Sequence, residues 1–154
     1  MPLRWDGKSR SRKGARLGGE ERGLLAYRAA SDRKATDIVV LDLRGISSIT
    51  DLFLLCSGQN PRQMQAIADA IDEHLAENSV KPLAREGIGE GNWILLDYED
   101  LVVHVFSEEA RRFYNLERLW ARAPRLTRLA GEPIAEAAEA SQADPTASQT
   151  GSDQ

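Results

Sequence analysis

The stretch LFLLCSGQNPRQMQAIADAIDEHL, residues 52–75, carries the two clearest structural signals in the chain. Its first six residues form a short apolar run, which predicts a strand buried on both faces. A helix follows, because Asn60 can cap it, Pro61 suits its first position and Gln63 stands three residues after the cap. Five apolar residues then repeat with the helical period: Met64, Ile67, Ala68, Ile71 and Leu75. A buried strand followed by an amphipathic helix predicts a layered α/β domain.

Further elements lie on either side of this unit. Residues 22–33 predict a first helix, and residues 37–43 predict a strand. After the unit, residues 81–85 predict a short edge strand, because Pro82 has no N–H to donate to a sheet. Residues 87–91 are rich in glycine and predict a loop.

The C-terminal half predicts a β-hairpin and a last helix. Residues 92–97 and 101–106 are two apolar runs joined by three residues, which is typical of a hairpin. Ser107 is placed to cap the helix that follows. The apolar stripe of that helix is expected to face the core and comprises Phe113, Leu116 and Trp120. These elements predict a single α/β domain with a mixed five-stranded sheet flanked by about three helices.

Charge is distributed unevenly along the chain. Residues 1–22 carry seven Lys/Arg and three Asp/Glu, residues 23–128 carry 13 and 16, and residues 129–154 carry none and five. The mildly acidic middle region argues against broad contact with nucleic-acid phosphate. It favours a basic protein as partner.

The two ends lack the periodic apolar residues of a packed element. We therefore predict a disordered basic arm over residues 1–20, an α/β domain over residues 21–129 and a disordered acidic tail over residues 130–154. The longest apolar runs are too short to cross a membrane, and the N-terminus has no apolar segment typical of a secretory signal. Cys56 is the single cysteine and can form no internal disulfide, so we expect a cytoplasmic protein with no membrane contact.

Three stretches resemble a known family. They are KATDIVVLDLRGISSITDLFLLCSG (34–58), NPRQMQAIADAI (60–71) and EGIGEGNWILLDYEDLVVHVFSEEARRFYNLERLW (86–120). The region from about residue 24 to residue 124 is similar to the RsfS/Iojap family of ribosomal silencing factors. The most specific part is the order W-x-x-x-D-x-x-D-x-x-x-H-V, followed by R-R-x-Y-x-L-E-x-L-W. The basic arm and the long acidic tail depart from the usual compact length of the family.

This resemblance implies a fold and a function. The fold is similar to a minimal nucleotidyltransferase domain without the chemistry of that enzyme. The implied function is binding to the large ribosomal subunit through ribosomal protein fourteen of that subunit. The bound factor would sterically block joining of the small subunit and repress translation under nutrient limitation. A homodimer is a further possibility for the free protein.

A nucleotide-binding or nucleotidyltransferase enzyme on the same fold is the alternative function. Such chemistry needs paired metal-binding carboxylates and a loop that holds phosphates. Ser57-Gly58 follows a strand but fits neither common phosphate-loop pattern, and the glycines of residues 87–91 lead into a strand and not a helix. Asp97 and Glu99 are spaced like a metal pair, yet they lie at a hairpin turn, where solvated acids are common. We therefore expect no enzymatic activity, no metal, no cofactor and no sequence-specific nucleic acid.

The hairpin is the candidate partner-binding surface. A domain with three helices can cover one face of its sheet well and the second only in part, and an apolar strip edged by charge is typical of protein contacts. Trp93 could be core or contact, and His104 could be a buried hydrogen-bonded ring, a partner contact or a catalytic group. The predicted partner-binding residues are Glu86, Trp93, Asp97, Tyr98, Asp100 and His104.

Overall fold

The structure is a computed structural model that describes residues 17–88 and 91–134. The predicted basic arm and acidic tail therefore lie mostly outside the described residues, as do positions 89 and 90 of the glycine-rich loop. Within the described part of the chain, no helix is both long and apolar enough to span a membrane.

Two long helices begin the α layer. Helix α1 spans Gly19–Asp32 and helix α2 spans Pro61–Ala76. The start of α2 is the predicted one, because the Asn60 Oδ1 accepts a hydrogen bond of 2.8 Å from the Gln63 backbone N–H. All five residues of the predicted apolar stripe of α2 are buried. The two helices contact each other and lie on the same face of the sheet.

Five strands form one mixed sheet, as predicted. They are β1 (Thr36–Asp42), β2 (Leu52–Gly58), β3 (Ala84–Ile88), β4 (Trp93–Asp97) and β5 (Leu101–Ser107). Their order across the sheet is β1-β2-β5-β4-β3. Strands β2 and β5 pair in parallel, and every other neighbouring pair is antiparallel. The predicted hairpin is the β4–β5 pair.

The two central strands are apolar on both faces. Every residue of β2 is buried, and β5 is buried from Leu101 to Phe106. One face packs against α1 and α2, and the other contributes to a second, smaller hydrophobic cluster. Burial on both faces explains why these strands read as continuous apolar runs and not as alternating patterns.

The predicted last helix is broken in two. Helix α3 spans Glu108–Tyr114, and a short α4 spans Leu116–Leu119. Asn115 between them has the left-handed conformation, with φ 46° and ψ 57°. Asparagine tolerates this conformation better than most residues, and a single left-handed residue ends a right-handed helix. The chain then closes with a small hairpin of β6 (Arg128–Leu129) and β7 (Glu132–Pro133).

The predicted edge strand is displaced toward the C-terminus. We expected it over residues 81–85, but β3 is Ala84–Ile88 and includes the first two residues of the predicted loop. The ladder begins only after Pro82, at the Leu83 N–H, which donates to the Asp97 carbonyl at 2.7 Å. Because Pro82 has no N–H to donate, hydrogen bonding to β4 begins at Leu83, one residue after the proline.

The folded region is longer at both ends than the predicted 21–129. The Glu20 Oε1 accepts a hydrogen bond of 2.8 Å from the Ala130 N–H, and Glu20 also pairs with Arg44 at 3.0 Å. Ile134 is buried in the main core with 5% of its surface exposed. The inner ends of the predicted arm and tail therefore hold each other against the domain.

These contacts predict where the chain can be shortened. A chain of residues 17–134 should unfold at about the same temperature as the full chain, because the removed ends lack periodic apolar residues. A chain of residues 21–129 should be less stable, since burial of Ile134 alone contributes about 2 kcal/mol. Thermal unfolding of the three chains followed by circular dichroism measures this. Equal melting temperatures for the two shortened chains would contradict the assignment of Glu20 and Ile134 to the fold.

Candidate functional site

The face of the sheet opposite α1 and α2, here called the open face, is only partly covered. Helix α3, α4 and the segment after them lie over part of it, and Ala110 and Ala123 are buried there. Toward β4 the cover is incomplete, because Trp93 and Leu95 are half-buried. The prediction that one sheet face would be covered well and the other only in part is consistent with this arrangement.

Strand register places most of the predicted site residues on the open face. Glu86 pairs with Leu95, and Leu95 pairs with His104, so these three form one row across β3, β4 and β5. Trp93 and Asp97 lie two residues either side of Leu95 on the same strand and therefore share its face. Of the predicted set, the structure brings Glu86, Trp93, Asp97 and His104 together on this face.

Trp93 and His104 are joined by a hydrogen bond across the strands. The Trp93 Nε1–H donates to the His104 Nδ1 at 3.1 Å. The His104 ring also packs edge-on against Phe53, with centroids 4.6 Å apart, and stacks parallel to Phe106 at 6.0 Å. Trp93 itself packs on Phe106 and on Tyr114, at 5.0 and 4.6 Å. The open face thus contains an aromatic cluster with one side-chain hydrogen bond, from Trp93 to His104, inside it.

His104 is held neutral, with one polar atom unpaired. It is 3% exposed, and burial lowers its pKa to about 3. Because Nδ1 accepts the bond from Trp93, the neutral ring carries its proton on Nε2. That Nε2 has no hydrogen-bond partner among the described residues. His104 is therefore a buried ring with one hydrogen bond, at Nδ1, and an unpaired Nε2–H donor.

Tyr98 lies elsewhere than predicted. Its side chain is fully buried among the residues packed under α1 and α2, and its hydroxyl donates to Asp72 of α2. Burial, and then the neighbouring Asp72 carboxylate, raise the pKa of the hydroxyl above its ordinary value. Side chains alternate between the two faces of an extended segment, so position 98 points away from the face of Trp93 and Asp97. We therefore remove Tyr98 from the candidate surface and assign it to the core.

The acids of the hairpin turn have different environments. Asp97 is half-buried, and its Oδ1 accepts a hydrogen bond of 2.8 Å from the Glu99 N–H, which shapes the turn. Glu99 has a positive φ of 77° and is exposed. Asp100 is half-buried, and its carbonyl accepts from the Leu52 N–H at 3.1 Å. Asp100 thus anchors the turn to the start of β2 and lies outside the row formed by Glu86 and His104.

Phe113 was expected in the core and lies on the surface. It is 78% exposed, and Leu119 is 71% exposed, whereas Leu116 and Trp120 are half-buried against the open face. The left-handed Asn115 rotates the chain, so that the helical period linking Phe113 to Leu116 and Trp120 is interrupted. The sequence offered one signal, since asparagine is a frequent helix-ending residue.

A buried ion pair fixes α3 and α4 to the sheet. The Arg111 guanidinium, with 10% of its side chain exposed, donates to the Ser57 Oγ at 2.9 Å and pairs with Glu117 at 3.0 Å. Burial alone would raise the pKa of Glu117, but Arg111 holds it below the ordinary value. Ser57 is therefore engaged in a structural contact.

The neighbouring Gly58 and Cys56 also have structural explanations. A Cβ on Gly58 would lie 2.8 Å from the Met64 Cγ, so glycine is needed for close packing of β2 against α2. Burial raises the pKa of the Cys56 thiol to about 12, which leaves it protonated and unreactive. Among residues 17–88 and 91–134, no group of three or more His, Cys, Asp or Glu side chains could hold a metal ion.

The chain is a small α/β domain whose open face carries half-buried aromatic residues beside acidic ones. Residues 20–154 match the family described as "ribosomal silencing factor during starvation". The chain is 45% identical over 100 residues to the ribosomal silencing factor RsfS of Bacillus subtilis, covering 65% of this chain and 85% of that protein. The chain belongs to the ribosomal silencing factor family, which confirms the resemblance seen in its sequence.

Two solved structures share the fold. A protein from Bacillus halodurans is 39% identical, with a TM-score of 0.62 over 70% of this chain and 97% of that one. A protein from Chromobacterium violaceum is 33% identical, with a TM-score of 0.65 over 68% of this chain and 88% of that one. The predicted fold class is therefore confirmed. Family membership makes the chain a translation regulator associated with ribosomes.

The buried neutral histidine predicts a pH dependence of stability. Its folded pKa lies below the unfolded value of 6.5, so the unfolded chain takes up the proton first as pH falls. The contribution of His104 to the free energy of unfolding is complete above pH 6.5 and is lost progressively as pH falls toward 3. The loss reaches about 2 kcal/mol at pH 5. Urea unfolding at about pH 7.5 and pH 5 should show this loss in the wild type and a loss smaller by that amount in His104→Gln. An identical loss in both proteins would mean that His104 does not stay neutral.

Proposed function

We propose that the chain binds the large ribosomal subunit through ribosomal protein fourteen of that subunit and sterically blocks joining of the small subunit. Binding would repress translation when nutrients are limiting. Membership of the ribosomal silencing factor family supports an action on the ribosome. The open face supports a protein as the direct contact, and it is the observation on which the proposal depends.

The composition of the open face suits a protein partner. Tryptophan and tyrosine often dominate the binding energy of protein interfaces, and Trp93 and Tyr114 pack against each other here. Trp93 is half-buried, so it is anchored by the core and still presents surface to a partner. His104 is buried beneath these rings and acts on the surface through its hydrogen bond to the Trp93 indole.

Charge around the hairpin favours a basic partner. Glu86 is exposed on the open face, and Glu99 is exposed at the hairpin turn. Half-buried Asp97 lies between them on the same side of β4 as Trp93. Acids at the rim of an apolar surface steer association with a basic protein and fix its orientation, while the aromatic centre supplies most of the affinity.

Steric exclusion requires no chemical step. One bound copy occupies the surface that the small subunit would otherwise approach. The degree of inhibition should therefore depend on the fraction of large subunits with a bound copy and not on the time of incubation.

Replacing Trp93 with alanine tests the centre of the proposed surface. We expect Trp93→Ala to weaken binding to isolated ribosomal protein fourteen by about 2 kcal/mol or more, because a central aromatic anchor is lost. The same variant should fail to block joining of purified subunits at concentrations where the wild type does. Isothermal titration calorimetry and sucrose-gradient sedimentation measure the two effects.

Two controls accompany this variant. Ile49→Ala removes a hydrophobic side chain that is 72% exposed, in the loop between β1 and β2, and should leave binding unchanged. Melting temperatures and sedimentation of the free proteins identify loss of folding or of self-association. A folded Trp93→Ala protein that still blocks joining would place the contact away from the open face.

Reversing the charge of Glu86 tests the rim. Glu86→Lys should slow association with ribosomal protein fourteen and reduce its dependence on salt, because rim charges act mainly on the association rate. Glu73→Lys makes the same charge change at an exposed position of α2, on the far side of the sheet, and should have little effect. Stopped-flow association at two salt concentrations measures this. Equal rates for the two variants would show that net charge, and not the rim, controls association.

A further inference from the structure

A second surface lies beside the open face and has the opposite charge. Residues 111–128 contain six arginines and one glutamate, a net of +5 in a chain whose net charge is −4. Arg111 is engaged with Ser57 and Glu117 inside the fold. The other five are exposed: Arg112, Arg118, Arg122, Arg125 and Arg128. This basic segment has the opposite charge to the exposed acids Glu86 and Glu99 near the hairpin. It is also far in sequence from the basic N-terminal arm.

The break at Asn115 brings two of these arginines to one concavity. Residues six apart on a continuous helix point in different directions, about 120° from each other. With the left-handed Asn115 between them, Arg112 and Arg118 instead line one shallow pocket. Its lining, here called the arginine concavity, comprises Arg112, Phe113, Tyr114, Asn115, Arg118 and Leu119.

The arginine concavity has no acidic lining residue, and two of its apolar side chains are unusually exposed to solvent. Phe113 is 78% exposed and Leu119 is 71% exposed. A phenylalanine this exposed is not explained by packing, since it contributes little to the core. Two exposed arginines beside an exposed aromatic ring therefore require an explanation outside the fold.

We propose that the arginine concavity binds RNA, with phosphates at Arg112 and Arg118 and an unstacked base on the Phe113 ring. Guanidinium groups match phosphate oxygens in shape and charge. Aromatic side chains stack on the bases of single-stranded RNA, in loops or bulges, whatever the base. An acidic protein segment would satisfy the arginines but would give no role to the exposed ring.

The location of the arginine concavity fits a ribonucleoprotein target. Tyr114 packs on Trp93 of the open face at 4.6 Å and on Phe113 at 4.9 Å, so the two surfaces adjoin. A protein contact on the open face and an RNA contact at the arginine concavity can form together. The RNA contact adds to the proposed function and does not rest on it, because each surface can be tested with an isolated partner.

The test uses the full chain and a fluorescein-labelled single-stranded RNA of about 12 nucleotides, within the range one small domain covers. Fluorescence anisotropy gives the dissociation constant at several salt concentrations. The double variant Arg112→Glu/Arg118→Glu should weaken binding at least about tenfold and lower the slope of log affinity against log salt by about 1.4, for two lost phosphate contacts. Phe113→Ala should weaken binding about tenfold with an unchanged slope, and Phe113→Trp should retain it.

A charge-matched variant separates the site from net charge. Arg62→Glu/Lys81→Glu makes the same change at exposed positions in the first turn of α2 and in the loop after it, and should alter affinity by less than about twofold. Equal weakening by both double variants would overturn the site, as would unchanged binding in the arginine variant. Displacement of the RNA by a polyglutamate peptide at equal charge concentration would overturn RNA as the occupant.

Binding of isolated ribosomal protein fourteen distinguishes this proposal from the proposed function. The arginine variant should bind that protein like the wild type, whereas Trp93→Ala should lose it and keep RNA binding. If Trp93→Ala also loses RNA binding, although Arg112, Phe113 and Arg118 are intact, the arginine concavity is not a separate site.

Discussion

The parallel pairing of β2 and β5 is the constraint on which the rest of the structure depends. Both strands are apolar on both faces, so each face must be covered. Parallel neighbours also need a long connection, which α2 and the β3–β4 hairpin provide. The three outer strands then extend the sheet around this centre, with β1 on one side and β4 and β3 on the other.

The two faces of the sheet are covered unequally, and both the open face and the arginine concavity result from this difference. Helices α1 and α2, of 14 and 16 residues, cover one face. The other receives only the seven-residue α3, the four-residue α4 and the segment after them. The turn at Asn115 therefore has two consequences, because it leaves the open face accessible and it creates the arginine concavity.

A polar link within the open face shows how an incompletely covered face remains ordered. The bond from Trp93 to His104 fixes both rings in a mainly apolar cluster. An unpaired buried donor such as the His104 Nε2–H is unfavourable by about 1–3 kcal/mol.

The sequence by itself determined the fold class, the start of α2 at Asn60 and the β4–β5 hairpin, because caps, the helical period and a short turn between apolar runs are local properties. Only the tertiary structure decided which face α1 and α2 would cover. That choice buried Tyr98, whereas strand register placed Glu86 in the row of His104 and the left-handed Asn115 exposed Phe113. Such outcomes depend on packing between distant segments and on one left-handed residue, and neither is encoded in the periodicity of any single element.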